Sequence, residues 1–102
     1  MRALYKLFAS TSKKIHFFLG GMRELGETSP KFHREIYDLF STCNVTFIGS
    51  EWEFLGPPNF FGKRDEISKK YLNNLKGFDL IVIKGSRGYE LDKLIPILED
   101  IN

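Results

Sequence analysis

Two short polar stretches hold the residue types in this chain that could do chemistry. One reads Lys84-Gly85-Ser86-Arg87-Gly88, the other Gly20-Gly21-Met22-Arg23-Glu24-Leu25-Gly26-Glu27. In the first, two cations flank a hydroxyl and a glycine. Arg87 can grip a carboxylate or phosphate with two parallel hydrogen bonds, which a lysine cannot do. Lys84 adds charge, and the glycines let backbone amides approach an anion closely. Together these residues suggest recognition of an anionic small molecule. The same residues also read as plain turns with solvated charges, and their types alone leave both readings open.

The remaining candidates carry less. His16 lies in an apolar run and reads as a packed histidine. His33 falls in the first turn of a helix close in sequence to Gly20; it either orients that loop or lies on the surface. Cys43 has no nucleophile's partner nearby and reads as a buried structural thiol. Two distant histidines and one cysteine match no metal spacing. Glu24 and Glu27 lack a working acid-base mate, because Asp79 opens its strand at the far end from the glycine turns. The chain has no G-x-x-x-x-G-K-[ST] phosphate loop, so it is not expected to hydrolyse ATP alone, and no catalytic residue is assigned.

Both polar stretches follow apolar runs, and that placement dictates the elements. Five of the six residues 78–83 (Phe78, Leu80, Ile81, Val82 and Ile83) are apolar without clean alternation, the pattern of a strand covered on both faces as in the middle of a parallel sheet. Leu91, Leu94, Ile95 and Leu98 then return at helical spacing, with Pro96 expected to kink or break the helix. Ile15-His16-Phe17-Phe18-Leu19 reads as a buried strand. It is preceded by a short helix with Leu4, Leu7 and Phe8 on one face, which Ser10-Thr11-Ser12 ends. Ser29 caps, and Pro30 opens, a helix striped by Phe32, Ile36, Leu39 and Phe40. Residues 44–49 form a further strand, residues 50–55 a helical turn, and residues 59–62 an edge strand. Asp65 caps a helix carrying Ile67, Tyr71, Leu72 and Leu75, closed at Gly77.

Short strands alternating with helices predict an α/β fold with parallel strands, at least four of them. Parallel strands bring both glycine turns to one edge of the sheet, where open α/β sheets hold their ligands.

At 102 residues the chain is one domain, residues 1–102. The net charge of +2 arises from interspersed signs, which argues against nucleic acid as a partner. No apolar run approaches the ~20 residues needed to span a bilayer, so no membrane partner is expected. One cysteine fits a reducing, cytoplasmic setting.

Taken with their spacing, the two polar stretches resemble the C-terminal domain of the Mur ligases. That family shows a strand followed by G-D-M-x-E-L-G, a Ser and then a His opening a helix, and later a strand ending in K-G-S-R. Here these are residues 20–26, Ser29 with His33, and Lys84-Gly85-Ser86-Arg87. The match covers nearly the whole chain, and within the family it lies nearest the branch that adds D-alanyl-D-alanine to UDP-N-acetylmuramoyl-tripeptide. The resemblance implies a three-layer, Rossmann-like domain that closes over the site of an ATP-dependent amide-bond ligase. ATP, Mg2+ and the uridine nucleotide would be handled mainly by two upstream domains outside this chain, which alone is expected to bind no cofactor tightly. It implies that Lys84, Gly85, Ser86 and Arg87 contact the dipeptide carboxylate or a phosphate, with Gly20, Gly21, Met22, Glu24 and His33 on the facing wall. Gly21 departs from the pattern, since the family usually has Asp there. A stand-alone anion- or nucleotide-binding module of flavodoxin-like build is the alternative, and an interaction domain using the Phe60 or Trp52 region a third.

Overall fold

The computed structural model describes residues 2–8 and 13–101. Helix α1 (Arg2–Phe8) leads to strand β1 (Ile15–Gly20), a 3-10 turn (Arg23–Thr28) and helix α2 (Ser29–Leu39). Strand β2 (Asn44–Ile48), a 3-10 turn (Ser50–Leu55) and strand β3 (Phe60–Phe61) follow. A 3-10 turn (Arg64–Glu66) and helix α3 (Lys69–Asn73) precede strand β4 (Leu80–Lys84). Two more 3-10 turns (Arg87–Tyr89, Leu91–Lys93) lead into helix α4 (Leu94–Ile101). The four strands lie in the order β3-β2-β1-β4, and every neighbouring pair is parallel.

The centre of the sheet is β1, buried along its whole length. Phe17 pairs with Val45 on one side and Val82 on the other. Alternation along the strand splits the core in two. Ile15, Phe17 and Leu19 pack with Ile36, Phe40, Val45, Phe47 and Trp52 on the α2 side. Phe18 packs with Ile48, Leu72, Leu94 and Leu98 on the side of α3 and α4. A twisted sheet with apolar residues on both faces must be covered twice, which gives the three layers.

His16 points to the α3 side, 4% exposed, with Nε2 2.7 Å from the Thr46 hydroxyl; that oxygen lies 2.6 Å from the Tyr71 hydroxyl. Burial lowers its pKa from 6.5 to about 4, so it is a neutral core residue at pH 7. Cys43 is half-buried, and burial pushes its thiol up against a smaller downward pull from the Thr42 hydrogen bond.

Several expectations need correction. The apolar run at residues 78–83 does pack on both faces, but β4 is an edge strand, with Leu80, Ile81, Val82 and Ile83 only half-buried. Helix α1 turns differently from the predicted stripe: Leu7 is exposed, while Tyr5 and Phe8 meet Phe40 and Phe17. The predicted stop at residues 10–12 lies outside the described residues. Thr28, one position before Ser29, takes the N-cap position of α2. The helix predicted from Asp65 is broken: Ile67 is extended, and Ser68 caps α3 by accepting the Tyr71 amide. Pro96 causes no kink, because α4 begins only at Leu94 and the proline sits in its first turn, where its missing donor costs nothing. Trp52 is fully buried and offers no docking surface. Among the described residues, no helix is long and apolar enough to cross a membrane.

Candidate functional site

The carboxyl ends of the strands share one rim, and the two glycine turns meet there in direct contact. The Arg23 amide donates to the Ser86 hydroxyl at 2.8 Å, and the Ser86 amide donates to the Gly21 carbonyl at 3.3 Å. Beside these bonds the backbones nearly touch. A β-carbon on Gly85 would stand 2.7 Å from the α-carbon of Gly20, and one on Gly20 would stand 2.9 Å from Leu91 Cδ1. Gly88 likewise leaves room for the Arg23 guanidinium, whose Cζ would lie 2.9 Å from an added β-carbon. Close packing of the two corners is therefore what these glycines permit.

This corrects the idea of a backbone cradle for an anion. The Gly21 amide donates to the Ile48 carbonyl at 2.8 Å, and the Met22 amide to His33 Nε2 at 3.1 Å. With the Arg23 and Ser86 amides already engaged, these loop donors are spent within the protein. His33 is fully buried. Its Nδ1 lies 2.7 Å from the Ser29 carbonyl, and its ring stacks edgewise on Trp52 at 4.6 Å. Because Nε2 accepts the Met22 amide, Nδ1 carries the proton and donates to Ser29. Of the two roles left open for this histidine, it takes that of orienting the loop, and it reaches the rim only through Met22. The backbone of Glu24 lies within the Arg23–Thr28 turn.

What remains available for an anion is side-chain charge. Lys84 and Arg87 are both exposed, and among the described residues neither has an ion-pair partner. They line an open cleft of about 600 Å³ with Ile83, Gly85, Ser86, Leu91, Asp92 and Ile95. Gly20, Gly21, Met22 and His33 lie outside this lining, so the facing wall is formed by the start of α4 and the turn before it. Ile95, read from its spacing as a core position, is 45% exposed and gives that wall an apolar surface. Among the described residues, no group of three or more His, Cys, Asp or Glu could hold a metal ion.

A third strand end joins the rim, and the sequence reading passed over it. The Tyr89 hydroxyl donates to the Glu51 carboxylate, and the Arg23 guanidinium lies 4.1 Å from the centre of the Tyr89 ring. Burial, then the bond to Glu51, raises the Tyr89 pKa above its ordinary value, with Arg23 pulling the other way. The available signal was Gly49-Ser50-Glu51, a glycine and a carboxylate directly after β2, at the same edge as the two recognised turns.

No family model matches the chain. A curated relative, UDP-N-acetylmuramoyl-tripeptide--D-alanyl-D-alanine ligase of Rickettsia prowazekii, is 33% identical over 93 aligned residues, covering 76% of this chain and 19% of that protein. The crystal structure of MurF ligase from Thermotoga maritima in complex with ADP superposes with a TM-score of 0.78 at 22% identity, over 98% of this chain and 25% of that one. This chain is a MurF-like Mur ligase C-terminal domain. The expected α/β architecture with its parallel four-stranded sheet is present. The MurF-like chain spans about a fifth of the length of the curated relative and a quarter of the solved ligase.

Proposed function

We propose that this MurF-like chain is the substrate-closing domain of an ATP-dependent cytoplasmic ligase that joins D-alanyl-D-alanine to UDP-N-acetylmuramoyl-tripeptide in peptidoglycan precursor synthesis. One observation carries the reading: the cleft at the strand ends combines two cations, neither with an ion-pair partner among the described residues, with an apolar surface at Leu91 and Ile95 beside Asp92. A small dipeptide has matching parts. Its carboxylate suits Arg87, with Lys84 beside it, and its methyl groups suit Leu91 and Ile95. A phosphate oxygen suits the same two cations.

In such a reaction a carboxyl phosphate is attacked by an amine, and water competes for the same electrophile. A domain that closes over the reactants excludes that water and orients the incoming amine. ATP supplies the phosphoryl group that activates the carboxylate. Lys84 and Arg87 would repel Mg2+ rather than ligate it, so the part of this chain is toward anions, with the metal and the nucleotide held chiefly by domains outside it.

The test is kinetic. In the Rickettsia ligase with its corresponding segment replaced by this chain, Arg87→Ala or Lys84→Ala raises KM for D-alanyl-D-alanine by about tenfold or more, as expected for loss of a charged hydrogen bond. Unchanged kinetics in both variants remove the assigned roles.

A further inference from the structure

Gly21 has no positive φ, so its backbone does not require glycine. Occupancy excludes a side chain there instead. A β-carbon at position 21 would stand 2.7 Å from Glu51 Cδ and 2.9 Å from Glu51 Cβ, closer than atoms of that kind come. Gly49, at φ 114, clears the same volume: a β-carbon there would lie 2.8 Å from Glu51 Oε1 and would also run into the Tyr89 ring. Two glycines directly after neighbouring strands thus open one chamber, filled by Glu51 from the turn after β2 and by Tyr89 from the turn after β4. The chamber abuts both cationic corners, since Arg23 lies over the Tyr89 ring and its amide holds Ser86.

We propose that Glu51 supplies the rim carboxylate that Gly21 lacks. The acidic group that the family motif carries directly after β1 is delivered here from the end of β2, and position 21 is glycine because Glu51 fills its space. For ligand handling this rests on the function proposed above, and there Glu51 is a positioning residue. It holds Tyr89, and with Arg23 it fixes the Lys84–Gly88 turn against the Gly20 corner. The exchange of one carboxylate for another can be tested without any ligand.

The experiment moves the carboxylate back. Gly21→Asp, Glu51→Ala and the double variant are compared with the parent by thermal unfolding and by ultraviolet titration of tyrosine, with Tyr89→Phe identifying the Tyr89 signal. Gly21→Asp alone puts two carboxylates into one half-buried space and lowers the midpoint by about 10 °C. With Glu51→Ala already present, the same substitution costs less than half as much. The Tyr89 titration, raised in the parent, falls part of the way back in Glu51→Ala and rises again when Asp stands at position 21 in the double variant. A purely structural filler would not move that signal. Should Gly21→Asp fail to fold, Gly21→Ala, whose only added atom is the β-carbon that meets Glu51, takes its place in the thermal comparison. Equal cost in both backgrounds, or a Tyr89 titration that stays low in the double variant, overturns the proposal. Neither readout involves Arg87, so the exchange and the function proposed above can fail separately.

Discussion

His16 illustrates how burial alone gives a residue a pH dependence. The folded protein holds it neutral, with a pKa of about 4, whereas in the unfolded chain it takes up a proton near its ordinary 6.5. Between those values the unfolded state binds more protons. The stability linked to His16 is therefore complete above about pH 6.5 and is lost progressively as pH falls from there to about 4, an effect of about 3 kcal/mol. In His16→Gln, the loss of stability between pH 7 and pH 4.5, measured by urea unfolding, shrinks by about 2 kcal/mol; an identical acid limb would contradict the assignment. His33 shows a second kind of buried histidine, both of whose nitrogens are used. His33→Phe keeps a ring against Trp52 but strands the Met22 amide, costing about 1–3 kcal/mol by chemical denaturation. It also speeds hydrogen exchange at that amide, and unchanged exchange at Met22 would speak against the loop-orienting role. Sequence reading placed His33 next to the right loop but could not choose between orienting and exposure, because the choice depends on Trp52, brought in from beyond β2.

At the scale of elements, the strands were legible because an apolar run bounded by glycine or polar residues has few alternatives in an α/β chain. Sheet position was not. An uninterrupted apolar run reports that both faces are covered and says nothing of the edges, so β4 reads like β1 although β1 is paired on both sides and β4 on one. The broken helix before α3 was hidden for a related reason: Ile67 supports the helical spacing, but Ser68 caps the backbone one turn later than Asp65 would. Likewise the glycines of the two corners were legible as turns, while the contact between them depends on strand order. That contact has a measurable consequence. Gly85→Ala forces the ends of β1 and β4 apart and costs about 1–3 kcal/mol. Gly77→Ala, whose β-carbon would find only Lys14 Nζ at 3.7 Å, stays within about 0.5 kcal/mol of the parent. Equal costs at the two positions would refute the close approach.

Across the whole molecule, the parallel sheet collects side chains distant in sequence at one rim. Arg23 follows β1, Glu51 follows β2, and Arg87 with Tyr89 follows β4. The radius of gyration is 13.2 Å, the value expected of a compact chain of about 100 residues. The motifs pointed to this edge because parallel strands leave no other place for both turns. Which surfaces face the cleft depended on the path from β4 into α4, where two 3-10 turns set Leu91 and Ile95 opposite the cations. The most direct measurement is an amide correlation NMR spectrum of the chain during titration with D-alanyl-D-alanine, with inorganic phosphate as a separate arm. Saturable shifts are expected at residues 84–87 and 91–92 on addition of dipeptide, with weak affinity on the order of 1 mM, and their loss in Arg87→Ala. Shifts confined to other surfaces, or an Arg87→Ala variant that titrates like the parent, would contradict the proposed function.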